Sequence, residues 1–286
     1  MADVESGGRA AILSGIAAVL AAAASWGASG IFVKFIMAAS PVTSLCLAFW
    51  RDAAAFVVFF ALALKLYRRR IRIRRGDWPQ LAGMGICLGI FHVALNAGYR
   101  LNGAAVTTIQ QAAMPAIVLA ASRFIWKEPL SGFKVFSLVL IAGGTVLVSG
   151  IIEADAPDVD PMGILVGFLV PALYAGWSLF GKALRGGYNA VVTLTWAFGI
   201  AALILLPFQL TTGDFILPPI SPAALAWFAG LIGLSTVFAF FIFTYALGRL
   251  PAGVASILVM SEIVFAVVYA HLLLGEVLTP LDIIGA

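Results

Sequence analysis

The sequence predicts an all-α integral membrane protein, with ten transmembrane helices arranged as two inverted five-helix repeats. Of its 286 residues, 63% are hydrophobic and 10% are charged, whereas a soluble domain is about 25% charged. Ten apolar segments follow one another along the chain. Most of them reach the ~20 residues that a helix needs to cross the hydrocarbon core. A shift of 148 residues also aligns the second half of the sequence with the first.

The predicted spans are separated by short breaks, many of which contain proline. Proline removes a backbone donor, so it is typical of helix starts and ends. The ten segments lie at about Ala11–Met37, Val42–Leu64, Leu81–Leu101, Ala104–Trp126, Phe133–Ile152, Met162–Gly181, Ala190–Leu210, Ala223–Leu247, Ala252–Leu274 and from Leu281 onward. The last segment is too short to cross a membrane, and we expect the native chain to extend beyond Ala286.

The shift of 148 residues indicates a duplicated unit. It carries Lys34 onto Lys182 and Glu128 onto Glu276, in separate regions of the chain, and one constant offset is the signature of an internal repeat. Each unit holds an odd number of spans, so the second unit should be inverted in the membrane, with a substrate site near the midplane between the units. We expect the first repeat at residues 1–152, an acidic external linker at 153–161 and the second repeat at 162–286.

Basic residues predict the orientation. Seven Lys or Arg lie between Lys65 and Arg75, which should place that loop in the cytoplasm. Ten spans then put both termini in the cytoplasm and leave the acidic stretch at 153–160 outside. The basic loop is also suited to anionic lipid headgroups.

Enzyme motifs are absent from the sequence. It has no phosphate-binding Walker loop, no His-Glu-x-x-His zinc motif and no nucleophile elbow. The longest loop is too short for a nucleotide-binding domain. We therefore expect no enzyme activity, no cofactor, no metal and no nucleic-acid partner, and a monomer in the lipid bilayer. Cys46 and Cys87 lie in apolar segments and should be core residues rather than a disulfide.

Two clusters of residues carry a family resemblance. The ninth segment reads SEIVFA at Ser261–Ala266, followed by LLLGE at Leu272–Glu276 and LTP at Leu278–Pro280. This resembles the signature of the EamA type in the drug/metabolite transporter superfamily. Supporting residues in the first repeat are Ser25–Gly27, Lys34, Pro115 and Glu128–Leu130. Ile263 stands where the family pattern usually has proline.

Within that superfamily the chain is similar to the ten-span exporters of aromatic amino acids. The resemblance implies the drug/metabolite transporter fold and a secondary transporter that works by alternating access. It would export aromatic and other neutral or apolar amino acids across a bacterial inner membrane, with protons as a candidate coupling ion. One alternative is an exporter of other small metabolites or drugs. Another is a structural membrane subunit that transports nothing.

Polar stripes on two spans suggest the walls of a substrate cavity. His92, Asn96 and Tyr99 share one helical face in the third span. In the fourth span Gln110, Gln111 and Met114 follow Thr107 and precede a proline. The alternative interpretation is a packed histidine and plain interhelical hydrogen bonds.

Aromatic residues should form the facing wall. By the shift, Trp26 and Ser29 of the first span correspond to Tyr174 and Trp177 of the sixth. All four lie away from the ends of their segments, so an interfacial aromatic belt does not account for them. They would line a cavity for the substrate side chain or pack as core. In the eighth span, Thr244 corresponds to Asn96 and joins the predicted binding residues.

Charged residues inside the predicted spans are the remaining candidates for a functional role. Arg51 and Asp52 interrupt the second span; Arg51 would bind a substrate carboxylate or form a structural ion pair. Glu262 is the acidic residue near the middle of the ninth span and needs a partner or water there. It would exchange a proton against substrate, or only hydrogen-bond its neighbours. We expect the ammonium and carboxylate groups of the substrate to lie toward His92, Asn96 and Gln110.

Overall fold

A computed structural model describes residues 2–67, 71–148, 161–212, 221–275 and 280–285. Inside its helices it leaves the side chains at 2–9, 99–100, 102–109, 148, 161–162, 164–166, 274 and 282 undescribed. The described residues form α-helices joined by short turns. These are α1 (Ala2–Gly27), α2 (Ser29–Ala39), α3 (Ser44–Tyr67), α4 (Trp78–Gln111), α5 (Met114–Ile125), α6 (Gly132–Val148), α7 (Pro161–Leu184), α8 (Ala190–Thr211), α9 (Pro222–Ile232), α10 (Ala239–Leu247), α11 (Ala252–Val259), α12 (Glu262–Leu274) and α13 (Pro280–Gly285).

Six stretches of the described chain are long and apolar enough to cross a membrane. They are Ala10–Ala39, Ser44–Tyr67, Arg75–Gly98, Ala190–Thr211, Pro222–Leu247 and Ala252–Leu273. Two shorter apolar helices lie at Met114–Ile125 and Gly132–Leu147. The all-helical, multi-pass membrane architecture predicted from the sequence is confirmed. The count of ten spans stays a prediction.

Several helices are interrupted near the middle of their apolar segments. α1 and α2 are separated at Ala28, and a π-helical turn at Gly233–Phe238 joins α9 to α10. A break at residues 112–113 separates α4 from α5, and one at residues 260–261 separates α11 from α12. α5 begins at Met114 and α12 begins at Glu262, which are 148 residues apart. The two halves therefore break at equivalent positions.

Proline explains only the first of these two equivalent breaks. Pro115 occupies the first turn of α5, where its missing N–H causes no loss. In the second half Ile263 stands at the corresponding place, and α12 nevertheless starts one residue before it. The departure from the family pattern has not removed the break.

One predicted boundary is wrong. The sequence predicted a turn between the third and fourth spans near Leu101, but α4 continues without interruption from Trp78 to Gln111. No proline lies between Gln80 and Gln111, and a single glycine such as Gly103 costs only about 1 kcal/mol in a helix. The helix therefore persists until the break before Pro115.

Helices of the first half pack mainly against helices of the second half. α1 contacts α10 and α12, α3 contacts α8, and α4 contacts α7 and α8. Glycines permit the close approach of α4 to α8. A Cβ atom at Gly85 would lie 2.6 Å from the Cβ of Ile200, and one at Gly89 would lie 3.1 Å from the Cα of Ala201. Small residues are typical of such contacts between membrane helices.

Charged residues close one end of the bundle. The Lys182 ammonium at the end of α7 donates to the carbonyl oxygen of Leu247, 2.8 Å away, and to that of Leu250. The Glu128 carboxylate accepts hydrogen bonds from the backbone N–H groups of Ala252 (3.0 Å) and Gly253 (3.3 Å), at the start of α11. Unsatisfied N–H groups at a helix start attract an anion. The turn between α10 and α11 is thus held from both sides.

Residues 71–77, the described part of the loop after α3, lie at this same end. The backbone N–H of Arg74 donates to the Tyr188 hydroxyl (3.0 Å), and that hydroxyl donates to Asp77 (2.6 Å). These bonds bring the loop after α3 against the turn between α7 and α8. The described loops predicted to be cytoplasmic therefore share one end of the molecule.

Candidate functional site

Five aromatic residues form a cluster where α1, α7 and α10 meet. This aromatic cluster consists of Trp26, Tyr174, Trp177, Phe240 and Phe243. The Trp26 ring centroid lies 5.0 Å from that of Phe240, 5.3 Å from Phe243, 6.0 Å from Tyr174 and 6.2 Å from Trp177. Trp26 thus inserts into a surface built by the second half of the chain, as a cavity between two repeats requires.

The cluster, and Thr244 beside it on α10, hold polar atoms that have no partner within the described part of the chain. The Tyr174 hydroxyl, the Trp177 indole N–H and the Thr244 hydroxyl are buried and make no hydrogen bond there. Tyr174 is 4% exposed, Trp177 1% and Thr244 0%. Buried polar groups are nearly always hydrogen-bonded, and tyrosine and tryptophan usually find a partner when buried. These three donors are therefore suited to a ligand with an acceptor group.

A carboxylate lies beside the cluster, at the meeting point of two helix breaks. Gln111 ends α4, Glu262 begins α12, and the Gln111 side-chain amide donates a hydrogen bond to the Glu262 carboxylate. The Glu262 carboxyl is also close enough to Tyr174 to interact with it electrostatically. The pair joins the two halves of the chain.

The break between α1 and α2 lies against the same point. A Cβ atom at Gly27 would be 2.9 Å from the carbonyl oxygen of Glu262 and 2.8 Å from the Cβ of Phe265. Only glycine permits this approach of α1 to α12. Three interrupted helices therefore converge on Glu262. In membrane transporters, substrate and ion sites are typically formed by interrupted helices.

A second polar group lies on the other side of the cluster. The His92 ring contacts the Asp52 carboxylate, with 2.7 Å between Nδ1 and Oδ1. The exposed side-chain fraction is 1% for His92 and 0% for Asp52. The His92 ring packs edge-on against Phe240, at 5.8 Å between centroids. His92 Nδ1 is therefore hydrogen-bonded to a residue of α3, as the alternative interpretation of a packed histidine predicted.

Arg51 has protein partners. Its guanidinium donates to the Thr236 hydroxyl (2.9 Å) and to the Ser235 carbonyl oxygen (3.3 Å), both in the π-helical turn. It also lies over the Phe240 ring, 5.9 Å from the centroid. These bonds favour the structural role for Arg51 over the binding of a substrate carboxylate.

The structure brings part of the predicted site together. Trp26, Tyr174 and Trp177 lie in the aromatic cluster, Thr244 shares α10 with two of its rings, and Gln111 contacts Glu262. The His92 ring lies outside the cluster and contacts it through Phe240. Sequence reasoning missed the pairing of Asp52 with His92. The available signal was that a carboxylate inside a span needs a partner.

Other predicted residues have different surroundings. The Asn96 amide donates to the Ser44 carbonyl oxygen (3.2 Å) and joins α4 to α3. Gln110 packs so close to Gly167 of α7 that a Cβ atom there would overlap it. Met114 is fully buried in the hydrophobic core, and Ser29 is half-buried at the start of α2. The side chains of Tyr99 and Thr107 fall outside the described ones.

Acidic and metal-binding residues are sparse in this region. Among the described residues, no group of three or more His, Cys, Asp or Glu side chains is arranged to hold a metal ion. The chemistry available at the site is therefore binding through aromatic rings, hydrogen-bond donors and one carboxylate.

Known proteins resemble the chain over nearly its whole length. The profile of the EamA-like transporter family matches residues 13–150 and residues 161–286. The uncharacterized transporter YwfM of Bacillus subtilis (strain 168) is 26% identical over 277 residues, covering 93% of this chain and 88% of the relative. An uncharacterized transporter of Archaeoglobus fulgidus is 25% identical over 270 residues, covering 91% of this chain and 90% of that relative.

A solved protein structure has the same fold. That crystal structure matches with a TM-score of 0.77 at 17% sequence identity, over 97% of this chain and 92% of that chain. At this identity the likeness concerns the fold alone.

Proposed function

The chain belongs to the EamA-like transporter family, and we propose that this small-molecule transporter exports amino acids. The proposed substrates are aromatic and other neutral or apolar amino acids, carried across a bacterial inner membrane by alternating access. The observation that carries the proposal is the aromatic cluster, in which the Tyr174 hydroxyl and the Trp177 indole N–H have no partner within the described part of the chain and Tyr174 interacts electrostatically with the Glu262 carboxyl. An amino acid has the matching groups, namely a carboxylate, an ammonium and a side chain.

The substrate pose differs from the one expected from the sequence. The Asn96 amide and the His92 Nδ1 are engaged with protein atoms, so we no longer assign the charged substrate groups to them. Instead, the substrate carboxylate accepts from Tyr174, Trp177 and Thr244. Its ammonium pairs with Glu262, and its side chain lies among the rings. Charge-assisted hydrogen bonds of this kind are about twice as strong as neutral ones.

Transport requires the aromatic cluster to open. Its rings contact one another at centroid distances of 5.0 to 6.2 Å, so an amino acid enters only when α1, α7 and α10 separate. The interrupted helices provide hinges, because a break absorbs dihedral changes that a continuous helix resists. The bonds of Glu128 and Lys182 close the end that carries the basic loops. We assign that end, and both termini, to the cytoplasm.

Uptake into proteoliposomes tests the proposal. Purified protein is reconstituted, and vesicles preloaded with unlabelled phenylalanine are given a trace of radiolabelled phenylalanine. We expect the label to accumulate transiently by exchange, and leucine to compete more strongly than lysine or aspartate. Folded protein that exchanges labelled non-amino-acid metabolites or drugs, and not phenylalanine, would support the alternative substrate class. No exchange of any compound by folded protein would point to a structural subunit.

A further inference from the structure

We propose that the buried pair of Asp52 and His92 is a proton-binding site that is coupled to opening of the aromatic cluster. The inference rests on the proposed transport function. The two side chains are in contact at 2.7 Å and are almost completely removed from solvent, on helices that cross the membrane. Ionisable side chains are expensive there and mark ion pathways and proton relays. If positions 52 and 92 served packing alone, two apolar side chains would be sufficient there.

The pair has the capacity to bind a proton. With the imidazole neutral, Nδ1–H donates to Asp52 Oδ1, and Nε2 carries a free lone pair. Neither His92 Nε2 nor Asp52 Oδ2 has a hydrogen-bond partner in the described part of the chain. A proton from water on one side of the membrane therefore adds to Nε2, and the same proton later leaves to water on the other side. No covalent bond other than N–H forms or breaks.

The charges around His92 determine the net charge that this proton leaves in the protein interior. Arg51 and Asp52 are the charged groups that interact electrostatically with the His92 ring, and their charges cancel. α8 carries no titratable residue and α10 contributes only the Tyr245 hydroxyl. α7 contributes the Tyr174 hydroxyl and Lys182, whose ammonium donates to the carbonyl oxygens of Leu247 and Leu250. Protonation of His92 therefore leaves one net positive charge in an apolar environment, which favours a conformation that admits water.

The ring contacts connect this charge to the aromatic cluster. His92 packs on Phe240, whose centroid lies 5.0 Å from those of both Trp26 and Trp177. A conformation that hydrates His92 on its Phe240 side therefore moves Phe240 and opens the cluster. Proton binding and cluster opening then stabilise each other. Export of a substrate becomes coupled to entry of a proton.

Glu262 is the competing candidate for this role. It begins α12 at the junction of the broken helices and accepts a hydrogen bond from Gln111. In the proposed function its carboxylate is assigned to the substrate ammonium. We therefore assign substrate binding to Glu262 and proton binding to the pair of Asp52 and His92.

Histidine NMR tests the proton site without a substrate. The chain has two histidines, so His271→Gln leaves His92 as the only imidazole. In nitrogen-15-labelled protein in lipid nanodiscs, we expect the His92 signals to change from neutral to imidazolium between about pH 9 and about pH 5. Asp52→Asn should move the midpoint to lower pH, because the carboxylate stabilises the imidazolium. An imidazole that keeps one protonation state over the whole range would overturn the proposal.

Transport with an imposed pH gradient is the second test. We expect wild-type protein to accumulate phenylalanine against its gradient when the pH gradient is applied. His92→Gln should retain exchange of labelled for unlabelled phenylalanine and lose this accumulation. His271→Gln, at the other histidine, is the control and should keep the accumulation. If the His92→Gln protein still accumulates substrate, the proton site is wrong. Wild-type protein that moves no amino acid would instead refute the proposed function, and the NMR result would still decide the proton site.

Discussion

The side chain of Gln111, the last residue of α4, donates a hydrogen bond to the carboxylate of Glu262, the first residue of α12. This bond joins the equivalent helix breaks of the two halves of the chain. Glu262 also lies against Gly27, the neighbour of Trp26. A helix break, a carboxylate and an aromatic cluster are therefore close together.

Replacing Glu262 tests its contact with the substrate ammonium. Glu262→Gln keeps the shape and can still accept from Gln111, but it removes the negative charge. We expect phenylalanine binding to weaken about tenfold or more, which corresponds to ~1.4 kcal/mol, with little change in thermal stability. Isothermal titration of detergent-solubilised protein measures the affinity. Glu128→Gln, at the closed end, is the matched control and should bind normally. Equal affinities for the Glu262 variant and wild type would rule out the contact.

Replacing Trp177 tests the donor role of its indole N–H. Trp177→Phe keeps an aromatic ring and removes Nε1–H. We expect affinity to fall about tenfold to a hundredfold, since a hydrogen bond to a charged group contributes about 1.5–3 kcal/mol. Trp227 is a suitable control because it is partly exposed and stacks on Phe35 at 4.6 Å. Trp227→Phe should leave phenylalanine exchange unchanged. An equal loss of phenylalanine affinity in both variants would indicate a general effect of removing a tryptophan.

Replacing Glu128 tests the closure of the loop-rich end. Glu128→Ala leaves the first N–H groups of α11 without their acceptor, and we expect the protein to lose about 1–3 kcal/mol of stability. Backbone amides at Ala252 and Gly253 should exchange with deuterium faster, as hydrogen-exchange mass spectrometry measures. Lys134→Ala, in a half-buried position of α6, is the control. Unchanged exchange at the start of α11 would show that the carboxylate does not hold this turn.

Cysteine accessibility tests the orientation. Single cysteines are introduced at Arg72 and at Asp158 after Cys46 and Cys87 are replaced by alanine. In right-side-out vesicles we expect an impermeant maleimide to label position 158 and to leave position 72 unlabelled until the membrane is permeabilised. The reverse pattern would invert the topology, and labelling of both positions would contradict the count of spans between them.

Part of this architecture could be read from the sequence because it depends on local patterns. The apolar segments and the shift of 148 residues predicted the membrane helices and the equivalence of Met114 with Glu262, at which α5 and α12 begin. The shift also paired Trp26 with Tyr174, whose rings are in contact. These features follow from composition and duplication, which one sequence displays directly.

The remainder depends on contacts between distant helices. Asp52 and His92 are 40 residues apart, and nothing in their spacing indicates that α3 and α4 bring them together. The continuity of α4 through Gly103 was missed because a single glycine permits either a turn or a helix. The engagement of Asn96 with Ser44 was likewise invisible, since a polar side chain on a helical face gives no information on its partner.

The central claim is that amino acids bind inside the aromatic cluster, and anomalous diffraction from a bound bromine atom tests it most directly. Crystals grown with para-bromophenylalanine should give a bromine peak among Trp26, Tyr174, Trp177 and Phe240, with the substrate ammonium against Glu262. A bromine peak elsewhere in the molecule, with the cluster still closed, would contradict the account.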